Sequence, residues 1–297
     1  MNTLSEKVVL ITGAGRGIGA GTARALHRRG AKLILTDLDA PPLAELVAEL
    51  GDDVLSVAAD VCDLPSMERA VAAGVERFGG IDLVLANAGI ASYGSVLAVD
   101  PATFKRVLDV NLLGVFHTVR AALPAVIERR GYILIVSSEA AFAPAPGLVA
   151  YNASKAGVEH LASALRLEVA HHGVAVGSAH MSWIDTPLVR DAKDDLAAFR
   201  QLLERLPAPL GKTTSLEACV KAFVAGLEHR KRRVYVPGWV RLIGWLKPVI
   251  TSPLGERESL KQAPTLLPQM DAEVAALGRS TSARNVAMDD ALTEANR

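Results

Sequence analysis

Tyr151 and Lys155 are the residues whose types and spacing most directly suggest acid/base chemistry. They lie four residues apart in a stretch with helical periodicity, so both side chains project from one face of a helix. A tyrosine with a pKa near ~10 is a poor base at neutral pH, but a neighbouring ammonium favours the phenolate and brings that pKa towards the working range. The spacing therefore fits a proton-transfer pair, although such a pair taken alone fits an ordinary helix surface equally well.

Other polar residues could complete such a site. Ser138 follows an apolar strand-like run, thirteen residues before Tyr151. Its hydroxyl would emerge at the carboxyl edge of a parallel sheet, where it could bind a substrate oxygen together with the phenol. Ser137 is the weaker candidate because strand alternation points it the other way. Asn111 lies among apolar residues in a long helical stretch, where it is either a helix-packing amide or an anchor for a water in a proton relay.

A glycine-rich turn, TGAGRGIG at 12–19, separates the first strand-like run from the first helical stretch. Glycines at this place let the backbone approach a diphosphate, and the following helix offers free N–H groups and a positive dipole end. Such a turn alone is a weak signal, but its position between a strand and a helix is the context that the mechanism requires. The residues predicted to bind a dinucleotide here are Gly13, Gly15, Arg16, Gly17, Ile18 and Gly19.

The second strand-like run ends in Asp37, eighteen residues beyond Gly19. A carboxylate there can accept hydrogen bonds from the adenosine ribose hydroxyls and repels a 2′-phosphate, so the sequence favours NAD over NADP. Arg16 could soften that preference by attracting a phosphate. Further candidates follow the third strand, where the adenine edge would lie, and the fourth, where small residues permit close approach. These predicted cofactor-binding residues are Asp60, Val61, Asn87, Ala88 and Gly89.

Seven short apolar runs alternate with helical stretches, which predicts an α/β, doubly wound Rossmann-type fold with a seven-stranded parallel sheet and helices on both faces. The predicted strands are 8–12, 32–36, 54–58, 83–86, 133–136, 174–179 and 234–236. The predicted helices are 18–29, 42–50, 65–78, 101–130 with a kink or restart at Pro124, and 151–170.

We expect two parts in the chain. Residues 1–237 would form the catalytic domain, with a charged, helix-prone substrate-loop insertion at about 185–212. Residues 238–297 would form a C-terminal helical extension.

The composition argues against several classes of protein. Half of the residues are hydrophobic, which is enough for a large core, and 32 basic residues balance 32 acidic ones, which gives no broad positive field for nucleic acid. The isolated cysteines Cys62 and Cys219 indicate neither a disulfide framework nor a zinc site, and no metal site is predicted. Without a signal peptide or an apolar stretch of the ~20 residues that span a membrane, the chain is expected in the cytoplasm.

Together these residues resemble the short-chain dehydrogenase/reductase family over roughly residues 7–237. The resemblance rests on TGAGRGIG at 12–19, DV at 60–61, NAG at 87–89, Asn111, Ser138 and YNASK at 151–155, in the order and spacing of the family. It implies an NAD-dependent oxidoreductase that passes a hydride between nicotinamide and a secondary alcohol or ketone. It also implies that the protein forms a homodimer or homotetramer, as many members do.

The resemblance assigns roles to the candidate residues. Tyr151 would be the general acid/base, and Lys155 would lower its pKa and hold the nicotinamide ribose. Ser138 would orient the substrate carbonyl, and Asn111 would position the relay water.

The sequence departs from the family after the sixth strand, where Met181-Ser182 replaces the usual Pro-Gly. Ile184 and Thr186 remain candidates for contacting the carboxamide end of nicotinamide. Glu139 is polar where many relatives have a small or apolar residue, so it either shapes substrate preference or faces water.

The substrate cleft is expected to be lined by 140–149 and 188–210, which are rich in Ala, Leu, Pro and Val. This composition suggests an apolar, steroid-like or lipid-like alcohol or ketone. The tail contains an apolar helical stripe. It either packs over the cleft, packs against a second subunit, or inserts shallowly into a membrane interface. Its residues are Trp239, Leu242, Ile243, Leu246 and Ile250.

Two other functions stay open. One is a nucleotide-binding regulator or scaffold without turnover, against which the complete Ser–Tyr–Lys set argues. The other is an epimerase or dehydratase built on the same fold.

Overall fold

The computed structural model describes residues 3–295, and these contain the seven-stranded parallel sheet that the sequence predicts. The strands are β1 Val8–Thr12, β2 Lys32–Asp37, β3 Val54–Ala58, β4 Leu83–Ala86, β5 Tyr132–Val136, β6 Ala175–Met181 and β7 Arg233–Val236. Their order across the sheet is β3-β2-β1-β4-β5-β6-β7, and neighbouring strands are parallel. All strands therefore end at one edge of the sheet, and a crevice opens between β1 and β4, where the order reverses.

Helices cover both faces of this sheet, which confirms the doubly wound fold. They are α1 Gly17–His27, α2 Ala40–Leu50, α3 Leu64–Phe78, α4 Pro101–Leu108, α5 Gly114–Glu128, α6 Val149–Val169, α7 Pro187–Asp195, α8 Ala197–Arg205, α9 Leu216–Glu228, α10 Val240–Ile250, α11 Pro253–Leu277 and α12 Ala283–Ala295. Alternate residues of β1 enter opposite cores. Val9 and Ile11 pack with side chains of α1, α2 and α9, whereas Val8 and Leu10 pack with side chains of α3, α5 and α6.

The helix predicted over 101–130 is interrupted, but it does not restart at Pro124, and a kink there stays a prediction. Helix α5 runs through Pro124. The irregularity is one π-helical turn, Asp109–Leu113, which joins α4 to α5 and carries Asn111. Such turns are often found where a side chain has a specific partner outside the helix, and Asn111 has one in the segment after β4.

Among the described residues, one helical stretch, 101–128, is long and apolar enough to span a membrane by length and composition alone. In the structure this stretch packs against α3, α6 and β4, and 44% of its most apolar window is buried. It is thus part of the core that covers one face of the sheet.

The region between β6 and β7 contains a helix that the sequence analysis missed. The charged insertion expected at 185–212 folds as α7 and α8, and α9 follows it. The hydroxyl of Ser215 accepts a hydrogen bond from the Ala218 N–H at 3.2 Å and so caps α9, while Cys219 and Phe223 are fully buried beneath the sheet. The apolar residues of this segment recur at helical spacing, a signal that could have identified α9.

The C-terminal extension packs on the rest of the chain. Helix α11 lies against α8, and the segment after α11 returns to the carboxyl edge of the sheet. The division into a domain 1–237 and an extension 238–297 stays a prediction.

Candidate active site

The glycine-rich turn lies at the crevice between β1 and β4. Gly13 and Gly17 have positive φ angles of 62° and 54°, which favour glycine. A Cβ atom at Gly19 would overlap the carbonyl oxygen of Gly13, so Gly19 allows α1 to pack on the turn rather than lining the groove as predicted. Within the described chain, the first turn of α1 has no acidic side chain, so its N–H groups and dipole are free to face an anion. The turn therefore fits a diphosphate.

A long groove, here termed the main groove, runs from this turn along the carboxyl ends of the central strands. The predicted cofactor-binding residues that line it are Gly13, Arg16, Gly17, Ile18, Asp37, Asp60, Val61, Asn87, Ala88, Gly89, Tyr151, Lys155, Ile184 and Thr186. Gly15 and Gly19 are not among the lining residues. The Gly15 N–H instead donates a hydrogen bond to Asp37 Oδ2 at 2.7 Å, which fixes the turn to the end of β2.

Asn87 holds the glycine-rich turn against the end of β4. Its Nδ2 donates hydrogen bonds to the carbonyl oxygens of Thr12 and Gly13, both at 3.0 Å. Its backbone N–H donates to Thr12 Oγ1 at 3.0 Å. The asparagine thus joins the ends of β1 and β4, so it has a structural role in addition to its predicted place in the cofactor site.

Carboxylates occupy the end of the main groove at β2. Asp37 Oδ1 accepts a hydrogen bond from the Asp39 N–H at 3.0 Å, in addition to the bond from Gly15. Arg16 forms an ion pair with Asp39. Because the guanidinium of Arg16 is already paired with Asp39, its positive charge offsets the negative charge of Asp37 less than the sequence suggested.

Ser138, Tyr151 and Lys155 come together where the main groove meets a smaller cavity, here termed the side cavity. Ser138 follows β5, and its Oγ accepts a hydrogen bond from the Ala140 N–H at 3.1 Å. Tyr151, in the first turn of α6, lines both the main groove and the side cavity. The Lys155 ammonium lies 5.6 Å from the centre of the Tyr151 ring and donates to the Val136 carbonyl at 3.0 Å. The structure thus brings together the three side chains that the sequence singled out.

The direction in which the Tyr151 pKa shifts differs from the sequence prediction. Burial raises this pKa; a hydrogen bond with Ser138 lowers it, and the charge of Glu139 raises it further. Burial also lowers the pKa of Lys155 to about 8. The spacing of the pair was visible in the sequence, but the loss of solvent around both groups was not. At neutral pH the phenol therefore holds its proton and can act as an acid.

Asn111 is fully buried and does not line either cavity. Its Oδ1 accepts a hydrogen bond from the Ile90 N–H at 2.8 Å. Its Nδ2 donates to the Ile90 carbonyl at 2.9 Å and to Ser154 Oγ at 3.0 Å. These contacts give the Asn111 side chain a structural role, because they join the segment after β4 to α6. A part for Asn111 in a proton relay stays a prediction.

Apolar and aromatic side chains form most of the side cavity wall. Six of them are Tyr93, Leu148, Trp183, Leu188, Val189 and Phe199. The segments 140–149 and 188–210 contribute to this wall, as expected from the sequence. Tyr93 and Trp183, which lie outside those ranges, had no local signal that placed them here.

Glu139 introduces one acid into these apolar surroundings. It lines the side cavity, and Ser182 Oγ donates a hydrogen bond to its Oε1 at 3.0 Å. Burial raises the pKa of Glu139 to about 7. Glu139 therefore lines a cavity, and its influence on substrate preference stays a prediction.

The segment that lacks the family's Pro-Gly continues along β7. The Ser182 N–H donates to the Val236 carbonyl at 2.8 Å, so one further hydrogen bond joins the chain to β7 where it bends after β6. Ile184 and Thr186 follow, are almost fully buried and line the main groove opposite Gly17. Both line the groove in which the sequence expected them, and their contact with the carboxamide end of nicotinamide stays a prediction.

Residues of the C-terminal extension line the main groove, and the sequence analysis missed them. They are Ser282, Arg284, Asn285, Met288 and Asp289. The weak periodicity of this segment gave no indication of where it would pack.

Helix α10, which contains most of the predicted apolar stripe, packs against the turn 139–141 that follows Ser138. The Lys247 ammonium donates to the Ala141 carbonyl at 3.1 Å. The outer side of α10 is open, with Leu242 at 54%, Trp245 at 66% and Val249 at 55% exposure. Contact of this side with a second subunit or a membrane interface stays a prediction.

Comparison with known proteins identifies relatives of this chain. The sequence profile of the short chain dehydrogenase family matches residues 7–197. Trans-4-hydroxycyclohexanecarboxylate dehydrogenase of Sinomonas cyclohexanicum is 37% identical over 199 residues, covering 64% of this chain and 77% of that protein. (-)-Trans-carveol dehydrogenase of Rhodococcus erythropolis is 35% identical over 209 residues, covering 64% and 76%.

A solved structure agrees with these sequence matches. The 3-ketoacyl-(acyl-carrier-protein) reductase from Brucella melitensis, complexed with NADH, is 29% identical and superposes with a TM-score of 0.69, covering 78% of this chain and 97% of that one. The fold, the sequence profile and the relatives all agree with the resemblance inferred from the motifs. The chain belongs to the short-chain dehydrogenase family.

Proposed function

We propose that this protein is an NAD-dependent oxidoreductase that interconverts an apolar secondary alcohol and its ketone. The observation that carries the proposal is the convergence of Ser138, Tyr151 and Lys155 at the junction of the two cavities. A dinucleotide in the main groove and a substrate in the side cavity would meet at this junction, and Tyr151 lines both.

The side chains at the junction have complementary tasks. Nicotinamide, when bound, supplies or accepts the hydride. In ketone reduction, Tyr151 donates its phenolic proton to the carbonyl oxygen, and Ser138 donates a hydrogen bond to the same oxygen. Lys155 binds the nicotinamide ribose and places a positive charge near the phenol. In alcohol oxidation the proton moves in the opposite direction, so Tyr151 must first become a phenolate.

NAD is the dinucleotide that the main groove favours. Asp37 lies at the end of β2, fixed by Gly15, where its carboxylate can accept hydrogen bonds from a ribose. A 2′-phosphate at this position would face the negative charge of Asp37, while Arg16 is already paired with Asp39. The NADH bound to the Brucella melitensis reductase supports the same choice.

The substrate class follows from the side cavity. Its wall is mainly aliphatic and aromatic, with Trp183 and Phe199 packed edge to face at 5.3 Å between ring centres. A ring-sized apolar body suits these surroundings, and the steroid-like or lipid-like alcohols that the sequence suggested stay a prediction. The relatives named for trans-carveol and for a hydroxycyclohexane acid support cyclic secondary alcohols.

A substrate screen with both nicotinamide cofactors tests the proposal. Absorbance of the reduced nicotinamide is followed across cyclic and acyclic alcohols and ketones, with small sugars and hydroxy acids as the polar comparison. We expect turnover with NAD on apolar secondary alcohols. Turnover confined to the small polar compounds would contradict the substrate class.

Replacing the phenol tests the assigned chemistry. We expect Tyr151→Phe to lower kcat to background, because no other group at the junction replaces the proton donor, while the affinity for NADH changes little. NADH binding is measured by fluorescence titration beside the kinetic assay. Retained turnover would remove Tyr151 from its role.

The same measurements separate the two other functions. Tight NADH binding without net oxidation or reduction of any compound would favour a regulator or scaffold. Conversion of a substrate without net change in the nicotinamide would favour an epimerase or dehydratase.

A further inference from the structure

The C-terminal segment 279–289 contributes a wall to the main groove that the short-chain dehydrogenase motifs do not include. We propose that this segment is part of the dinucleotide site: α12 covers the adenosine half, and residues 279–282, here termed the strap, hold α12 in place. The inference rests on the proposed binding of NAD.

One side of the strap is fixed to the segment that follows β4. The Tyr93 N–H donates to the Ser280 carbonyl at 2.8 Å, and Thr281 Oγ1 donates to the Ala91 carbonyl at 2.8 Å. Ser280 and Thr281 are 3% and 5% exposed, so this attachment is built into the interior of the protein. Buried hydrogen bonds of this kind are costly to break without replacement.

The other side of the strap is fixed to α7. Arg279 Nη1 and Nη2 donate to the two carboxylate oxygens of Asp195 at 2.7 and 2.8 Å. Both side chains are only about one-fifth exposed, at 19% and 21%, and the paired geometry is the stronger form of this contact. The strap thus joins two walls of the groove. One is α7, which begins just after Thr186, and the other is the segment 90–93, which follows Gly89.

Helix α12 continues from the strap along the acidic ends of β2 and β3. Arg284 Nε lies 3.9 Å from Asp39 Oδ2, and Arg106 Nε donates to Asp289 Oδ1 at 2.9 Å. The same Arg106 side chain lies 3.5 Å from Asp60. Because the adenosine of a dinucleotide is expected at these two strand ends, α12 faces that half of the groove.

The α12 side chains in the groove suit a purine nucleoside. Arg284 and Asn285 offer N–H donors, and Met288 offers a polarizable thioether for the face of a ring. A nucleoside held between the strand ends and α12 would lose contact with water on both sides. Its release would then require the strap or α12 to move, which should appear as slow dissociation of the cofactor.

Full-length variants test the strap and the wall separately. We expect Arg279→Ala to accelerate NADH release by about tenfold, with a parallel rise in Kd, because a bidentate charged contact that fixes the strap is lost. Arg284→Ala should raise Kd by a smaller factor. Asp290→Asn is the matched control, since Asp290 lies on the same helix, is exposed and does not line the groove. Release is measured by stopped-flow displacement and Kd by fluorescence titration.

A charge reversal distinguishes a strap from a general loss of stability. Arg279→Asp combined with Asp195→Arg should restore slow release if the contact itself holds the strap. Unchanged release and Kd in both Arg279→Ala and Arg284→Ala, in chains that melt like the wild type, would overturn the inference. A wild-type chain that fails to bind NADH would instead contradict the proposed function.

Discussion

At the scale of single residues, the proton of Tyr151 depends on its burial and on one neighbour that the catalytic motif does not include, Glu139. Burial holds the pKa of Tyr151 above the usual range, and the carboxylate of Glu139 adds to that effect when it is ionised. Burial in turn raises the pKa of Glu139 to about 7, so its charge appears only as the solution becomes neutral to alkaline. The site is therefore set for proton donation at neutral pH, and for proton removal only at higher pH.

The pH dependence of the two reaction directions should reflect this arrangement. We expect kcat/KM for alcohol oxidation to rise with pH beyond neutrality, because oxidation needs the Tyr151 phenolate. Ketone reduction needs the phenol and should stay nearly constant up to about pH 8, above which Lys155 loses its positive charge and the rate should fall. Glu139→Gln removes a negative charge beside the phenol, so kcat/KM for oxidation should rise at lower pH in this variant than in the wild type. The two should differ only above about pH 7, because Glu139 is charged only there.

The control for this experiment is Glu168→Gln, an exposed acid on the same helix as Tyr151. Its pH profile should coincide with that of the wild type. An oxidation profile that is identical in Glu139→Gln and wild type would show that Glu139 does not act on the phenol.

The charge of Asp37 should decide the choice between NAD and NADP. Asp37→Asn keeps an acceptor for the Gly15 N–H but removes the repulsion of a 2′-phosphate. We expect the ratio of kcat/KM for NADP to that for NAD to rise by about tenfold or more. Asp53→Asn, an exposed acid just before β3, is the control. An unchanged ratio would show that cofactor preference is set elsewhere.

At the scale of elements, the sequence predicted the features that local patterns control. Each strand is a short apolar run, because both faces of the sheet are buried, and the motif residues lie at strand ends or on one helix face. Helix α9 could have been found from its own periodicity. The position of α12 could not, since its contacts with Asp39 and Arg106 join parts of the chain separated by more than a hundred residues. The pKa of Tyr151 likewise depends on burial that only the assembled fold creates.

Helix α9 should contribute strongly to stability although it lies outside the site. Phe223 is fully buried between α9 and the sheet. We expect Phe223→Ala to lower the free energy of unfolding by about 3–5 kcal/mol, through lost burial and the cavity left behind. Lys221→Ala, at an exposed position of the same helix, should change it by less than about 0.5 kcal/mol. Urea unfolding of the two variants measures both values, and similar losses would contradict the packing described for α9.

At the scale of the whole molecule, the outer surface retains apolar side chains that the fold leaves uncovered. Phe116 on α5 is 46% exposed and Leu167 on α6 is 80% exposed, and both helices cover the same face of the sheet. Exposed apolar side chains on neighbouring elements are typical of surfaces buried by association. They support the expectation of a homodimer or homotetramer, which stays a prediction.

Sedimentation velocity would measure the assembly. We expect the wild type to sediment as a dimer or tetramer and Phe116→Glu to sediment as a smaller species, because a charge buried in an apolar interface is unfavourable. Leu277→Glu, at a partly exposed position on α11, is the control and should leave the assembly intact. A monomeric wild type would contradict the expected association.

Trp183 gives the side cavity a natural optical reporter. Its indole forms part of the wall, whereas Trp245 on α10 is 66% exposed, so the two fluorophores emit from surroundings of different polarity. A compound that fills the side cavity changes the surroundings of Trp183 and leaves those of Trp245 as they are. The chain has a third tryptophan, Trp239, so Trp239→Phe combined with Trp245→Phe leaves Trp183 as the remaining indole. In that variant compounds can be ranked by occupancy, without a label and before any reaction takes place.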